Sequence, residues 1–266
     1  MSSEAAPEPV VAVIAAAGAG ARFGAARPKQ YAELAGRTLL ERSMRAMLDV
    51  PGVDALVVAL SAGDARFGAI ALGRDPRVTA VPGAATRAGS VAAALGHVCA
   101  AHGERAWALM HDAARPLVAR ADVVHLLERV REAEAAGLAA GGILAARVAD
   151  TLKREATGGE GPVRIGATVA RDGLWGAQTP QLFRAGALHA ALEAAIADAG
   201  PDPGAGAVTD EASAAERAGL GCLLVEARAP NPKITWPADL DLARALLAVA
   251  GGAAAVEEGR GDAACA

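Results

Sequence analysis

The chain has 266 residues, enough for one large domain, and 53% hydrophobic but only 3% aromatic residues, so its core has to be built from Ala, Val and Leu. A net charge of −4 argues against a nucleic-acid surface, and no apolar run reaches the roughly 20 residues of a membrane span. Cys99, Cys222 and Cys265 show no metal spacing and fit a reducing cytoplasm, and MSSEAAPEPV lacks the basic start and apolar stretch of a secretory signal.

Residues 1–9 read as a disordered tail. The unbroken apolar run from Val10 to Ala17 is the pattern of a buried parallel strand. It feeds a loop in which Gly18, Gly20 and Gly24 thin the backbone, so that its N–H groups can approach an anion, and Arg22 and Lys29 can neutralise that anion. This corner reads as a wrap for a nucleotide triphosphate. A plain strand-to-helix turn would need the glycines but not the two cations. A dinucleotide fingerprint fails because Phe23 stands at its third glycine, and no G-x-x-x-x-G-K-[ST] spacing occurs.

Helical spacing returns from Thr38 to Leu48, with Thr38 as N-cap, and Ala55–Leu60 is a second buried strand. A short helix is expected around 62–72, a strand over 78–81, a helix over 86–101, a strand over 106–110 and a helix over 121–136. This alternation predicts an α/β sandwich with a mostly parallel sheet and ligands at the carboxyl ends of the strands. The rhythm changes after Gly141. Extended segments over 143–155 and 163–171 flank TGGEGP and predict a β-hairpin arm, about 145–171, too small to bury itself and so expected to pack on another chain. Helices over 184–199, 210–218 and 237–250 and a strand over 220–227 complete a domain of residues 10–250, and 251–266 read as a second disordered tail.

The chemistry concentrates where strands end. MHDAARP places Asp112 at the ligand edge of the sheet, where a carboxylate suits Mg2+ alongside phosphate oxygens, with Arg115 pointing into the same mouth and His111 in a structural role. Thr209-Asp210-Glu211 can be a simple helix N-terminus. Composition adds a clue. Of 26 basic residues only Lys29, Lys153 and Lys233 are lysine, and a lysine in so arginine-rich a chain marks a site for a compact ammonium. Asn231 is the one asparagine, Tyr31 the one tyrosine, and Gln30, Gln178 and Gln181 the only glutamines, so the scarce residues fall into the same few segments.

In order and spacing, AAAGAGARFGAARPKQY, TRAGSV, HDAARP, DTLKR, RDGLWGAQTPQLF, TDEAS and NPKITWPADL resemble the 2-C-methyl-D-erythritol 4-phosphate cytidylyltransferase family from Val11 to about Leu247. The resemblance implies a Rossmann-like nucleotidyltransferase three-layer sandwich whose arm interlocks a cytoplasmic homodimer. It implies CMP transfer from CTP to a small polyol phosphate, 2-C-methyl-D-erythritol 4-phosphate, with release of pyrophosphate and with Mg2+ as cofactor, in isoprenoid precursor synthesis. By position, Ala16, Ala17, Gly18 and Gly20 would line the nucleotide, Arg22 and Lys29 would grip its phosphates, and Ser90 with the turn from Gly83 to Thr86 would face the cytosine. Asp112 would hold the metal; Arg115, Thr179 and Lys233 would lie by the acceptor; Thr151 and Arg171 would reach it from the partner subunit. The chain departs from the family's pattern at Ala84 and Ala85 and at Pro230, where acidic residues are common. Ribitol 5-phosphate is the alternative acceptor, and a non-catalytic nucleotide sensor the alternative of another class.

Overall fold

The computed structural model describes residues 8–18, 23, 28–157, 161–199 and 208–262, with the backbone alone from 251 onward. The first strand, β1 (Val10–Ala16), is buried along its length, as an apolar run with no alternation requires. After it come a two-residue pair, β2 (Glu33–Leu34) and β3 (Arg37–Thr38), and helix α1 (Leu39–Leu48). Thr38 caps α1 as expected, its hydroxyl accepting from the Glu41 N–H at 3.1 Å. Strand β4 (Ala55–Leu60) matches its expected bounds. The helix expected near 62–72 is instead two short 3-10 turns, Phe67–Ala69 and Ala71–Arg74. Gly68 and Gly73, with Pro76 just beyond, leave no run long enough to sustain an α-helix there.

Strand β5 (Val78–Pro82), helix α2 (Arg87–His102), strand β6 (Trp107–Asp112) and helix α3 (Arg120–Ala135) follow within a residue or two of expectation. Next come β7 (Gly141–Arg147), the arm strands β8 (Leu152–Glu155) and β9 (Ile165–Val169), and β10 (Trp175–Arg184). Helices α4 (Ala185–Ala199) and α5 (Glu211–Arg217), strand β11 (Cys222–Glu226) and helix α6 (Asp239–Asp262) close the chain. Helix α6 was expected to stop near 250, but the helix continues to Asp262.

Seven strands form one sheet in the order β11-β7-β10-β6-β1-β4-β5. Pairings are parallel except for β10, which runs antiparallel between β6 and β7. Alternate residues of β1 point to opposite faces. Val10, Ala12 and Ile14 pack with Leu40 and Met44 of α1 and Leu126 of α3; Val11 and Val13 pack with Val91 and Leu95 of α2 and Leu188 of α4. The expected three-layer sandwich is therefore present. β8 and β9 pair apart from the main sheet, as a separate hairpin. No helix of the described residues is long and apolar enough to cross a membrane.

Candidate active site

Beyond the carboxyl ends of β1 and β6 lies a cavity of about 280 Å3, the crevice expected of an open α/β sheet. It is lined by Ala16, Ala17, Gly18, Lys29, Gln30, Ala84, Ala85, Thr86, Arg87, Ser90, Asp112 and Lys233 among others. The sequence motifs thus converge here, although Gly20 and Arg22 lie outside the described residues. Gly83 does not line the cavity but makes it possible. Its N–H donates to Leu60 O at 2.7 Å, and a Cβ there would stand 2.7 Å from the Ala17 methyl, so only glycine lets the 83–86 turn lie against the end of β1. Ser90 holds that turn, its Oγ accepting from the Ala84 N–H at 2.9 Å and standing 2.9 Å from Thr86 O. The Gln30 amide donates to Ala16 O and Lys29 Nζ to Ile234 O, each at 2.7 Å, which ties two of the scarce-residue segments to this mouth.

A second cavity of about 210 Å3 adjoins the first and is lined by Arg87, Asp112, Arg115, Ala177, Gln178, Thr179, Gln181, Thr209, Asp210 and Lys233. Arg87, Asp112 and Lys233 line both cavities and so form the wall between them. A wider groove, which shares Arg115 and Lys233, runs on toward Asp150 and Leu152 at the root of the arm. Thr151 and Arg171 are exposed and line none of these spaces within their own chain.

Asp112 is the electrostatic centre of the wall. Its Oδ1 accepts from Arg87 Nη2 at 3.0 Å and its Oδ2 lies 2.7 Å from Lys233 Nζ. Burial raises the carboxyl's pKa, but Arg87 and Lys233 more than offset it and hold the group well below the usual carboxylate range. A relay of hydrogen bonds fixes its backbone. The Asp112 N–H donates to Thr179 Oγ1 at 3.0 Å, Thr179 Oγ1 lies 3.1 Å from His111 Nδ1, and His111 Nε2 lies 3.0 Å from Arg115 O. A carbonyl can only accept, so Nε2 carries the imidazole hydrogen and Nδ1 takes the threonine's. Burial lowers the His111 pKa to about 4, so the ring is neutral and fully committed, in keeping with a structural role. Arg115 donates to Asn231 O at 2.6 Å, and its buried Nε, 3.9 Å from Asp112, has no hydrogen-bond partner.

Two contributors went unread in the sequence. Arg87, within TRAGSV, pairs with Glu211, within TDEAS, through Nη1–Oε1 at 2.6 Å and Nη2–Oε2 at 3.2 Å. The one local signal was an arginine in the first turn of α2, where the helix dipole disfavours a cation. Thr209-Asp210-Glu211 is the helix start that the sequence suggested, with Asp210 as its cap in a reciprocal capping box to Ser213, but Glu211 beside it is buried. Among the described residues no cluster of three or more His, Cys, Asp or Glu is placed to hold a metal ion.

The family model described as 2-C-methyl-D-erythritol 4-phosphate cytidylyltransferase matches residues 10–249. Enzymes of that name resemble the chain closely. One from Pseudomonas fluorescens is 46% identical over 238 residues, covering 88% of this chain and 93% of its own length. The one from Chromobacterium violaceum is 44% identical over 239 residues, covering 90% and 98%. A solved 4-diphosphocytidyl-2C-methyl-D-erythritol synthase superposes with a TM-score of 0.74 at 36% identity, over 91% of this chain and 100% of that one. The Francisella tularensis 2-C-methyl-D-erythritol 4-phosphate cytidylyltransferase gives 0.72 at 32% identity, over 90% and 99%.

Proposed function

The chain belongs to the 2-C-methyl-D-erythritol 4-phosphate cytidylyltransferase family, and on that premise we propose that it transfers CMP from CTP to 2-C-methyl-D-erythritol 4-phosphate, releasing pyrophosphate. The observation that carries this reading is the pair of adjoining cavities that share Arg87, Asp112 and Lys233 as their wall. CTP occupies the first, with its base against the 83–86 turn and its phosphates against the backbone of Ala16, Ala17 and Gly18, beside Lys29; Arg22, outside the described residues, is the second cation that the sequence offers them. With Ala84 and Ala85 in the turn, the base is selected by backbone groups that Ser90 holds in place. The acceptor occupies the second cavity, its phosphate among Arg115, Thr179 and Lys233.

An acceptor phosphate oxygen attacks the α-phosphorus in line. One P–O bond forms, the bond to the leaving pyrophosphate breaks, and no proton has to move. The nucleophile is already an anion, so a general base is unnecessary, and the committed imidazole of His111 is consistent with that. The obstacle is repulsion between anions, and the cations of the wall offset it by positioning and electrostatics. Asp112, whose carboxylate lines both cavities and is held ionised by its cationic neighbours, would hold Mg2+ as a companion of the triphosphate. Bound there, the ion would neutralise phosphate charge. Residues 10–250 act as one unit in the cytoplasm. The arm joins two chains: Val163 and Ile165 are 78% and 69% exposed on it, and Thr151 and Arg171 reach the acceptor of the partner subunit.

The test is pyrophosphate release with CTP or ATP and with either 2-C-methyl-D-erythritol 4-phosphate or ribitol 5-phosphate. Turnover is expected with CTP and the methylerythritol phosphate; turnover with ribitol 5-phosphate alone would replace the assigned acceptor. Lys29→Arg is expected to slow that reaction by about tenfold or more, short of the 10²–10³ seen when a preorganised donor is removed outright. The larger planar fork cannot take the place of a compact ammonium beside Ile234 O. A wild-type rate in this variant would reduce the scarcity of lysine to coincidence.

A further inference from the structure

We propose that Glu211 is a positioning residue that pins the Arg87 guanidinium in the wall between the two cavities, where it faces an incoming phosphate instead of folding wholly onto Asp112. The inference rests on the assignment of the two cavities to the two substrates.

Glu211 is 1% exposed, and both of its oxygens bond to Arg87. The Arg87 side chain is 38% exposed, and a part-buried ion pair of this kind adds little net stability, because desolvating the buried charge consumes much of what the attraction returns. Helix α5 is docked by contacts other than this pair as well. Gln181 Oε1 accepts from the Ala212 N–H at 2.9 Å, Gln181 Nε2 donates to Asp210 Oδ2 at 3.0 Å, and the Asp210–Ser213 box closes the helix start. The docking of α5 therefore aims Glu211. Gln181 lies on β10 two residues beyond Thr179, whose hydroxyl receives the Asp112 N–H, so one strand sets the placement of both carboxylates that hold Arg87. Arg87 Nη2 is shared between them, 3.0 Å from Asp112 and 3.2 Å from Glu211. When Asp112 turns toward substrate, Glu211 keeps the guanidinium where it stands. Without Glu211 the cation would follow Asp112, and the wall would lose the positive charge that the meeting phosphates require.

The experiment compares wild type, Glu211→Gln, Glu211→Asp and Arg87→Ala by steady-state pyrophosphate release and by thermal unfolding. Glu211→Gln is expected to lower kcat by about tenfold or more while the KM for CTP changes little, since removal of one preorganised donor costs 10²–10³ and here the donor is only loosened. Glu211→Asp keeps the charge but shortens the reach, and it is expected to fold as wild type does and to lose kcat in the same direction. Millimolar guanidinium is expected to restore part of the activity of Arg87→Ala, and to restore none in Arg87→Ala with Glu211→Gln, because its seat is then gone. A purely structural role would give equal rescue in both backgrounds. Wild-type kcat in a folded Glu211→Gln or Glu211→Asp, or equal rescue, would overturn the proposal. Inactive wild type would count instead against the substrate assignment, and rates on whichever polyol phosphate proves active still deliver the variant ratios.

Discussion

Asp112→Asn is expected to lower turnover by roughly 10³-fold, the upper end of what loss of one preorganised electrostatic group costs. The substitution conserves shape, so the effect isolates charge. Asparagine offers one acceptor oxygen and one donor nitrogen where the carboxylate offers two acceptor oxygens, and those two now serve Arg87 and Lys233. The amide's N–H groups would face one of these cations donor to donor, and that side chain would leave the wall. Arg87 retains Glu211 and the Lys233 side chain is 45% exposed, so each finds other company. The stability loss is therefore expected to stay near 1–2 kcal/mol, below the 3–5 kcal/mol for breaking a fully buried pair. Urea unfolding beside the kinetics separates the two effects. A variant that turns over within about tenfold of wild type would remove Asp112 from the reaction.

Lys233→Met is expected to cost 10²–10³ in kcat/KM, with a raised KM for the acceptor phosphate, because the stem is kept and the ammonium is lost. Lys233 reaches Asp112 from a strap whose position is independently secured. The Ile234 N–H donates to Ala114 O at 2.8 Å, Asn231 Nδ2 donates to Thr179 O at 2.9 Å, and Arg115 holds Asn231 O. Loss of the ammonium should therefore leave the strap in place, and the variant should unfold at nearly the wild-type temperature. Lys233→Arg is not expected to restore the rate, since a guanidinium fork centres its charge elsewhere. A fully active Lys233→Arg would mean that this site needs only charge.

The sandwich was legible wherever the pattern of apolar residues is local. β1, β4 and α2 could be read from runs and spacings alone, Thr38 could be read as a cap, and Thr209-Asp210-Glu211 as a helix start. Strand β10 could not, because Pro180 interrupts it. A proline cannot donate to a ladder, and the structure accommodates it at a register shift between Ala177 and Gln181. Scarcity of residue type proved informative about burial and placement. Gln30, Gln181 and Asn231 are buried, and Lys29 and Lys233 reach the first cavity, whereas Lys153 sits on the arm bonded to Thr168. Asp112 was visible because a strand delivers it to the sheet edge. The Arg87–Glu211 pair was not, since its members lie 124 positions apart and only the docking of α5, packed on α4 and β11 and hydrogen-bonded to Gln181 of β10, brings them together. The division of the mouth into two cavities is likewise a property of the folded chain.

The central claim is that the two substrates meet at the wall made by Arg87, Asp112 and Lys233. A crystal structure of the enzyme with the reaction product, 4-diphosphocytidyl-2-C-methyl-D-erythritol, tests it most directly. The account predicts the cytosine against the 83–86 turn, the polyol beside Arg115 and Thr179, and the diphosphate across the wall within hydrogen-bonding reach of Arg87 and Lys233. A diphosphate bound away from those two cations, with both halves of the product in a single cavity, would contradict it.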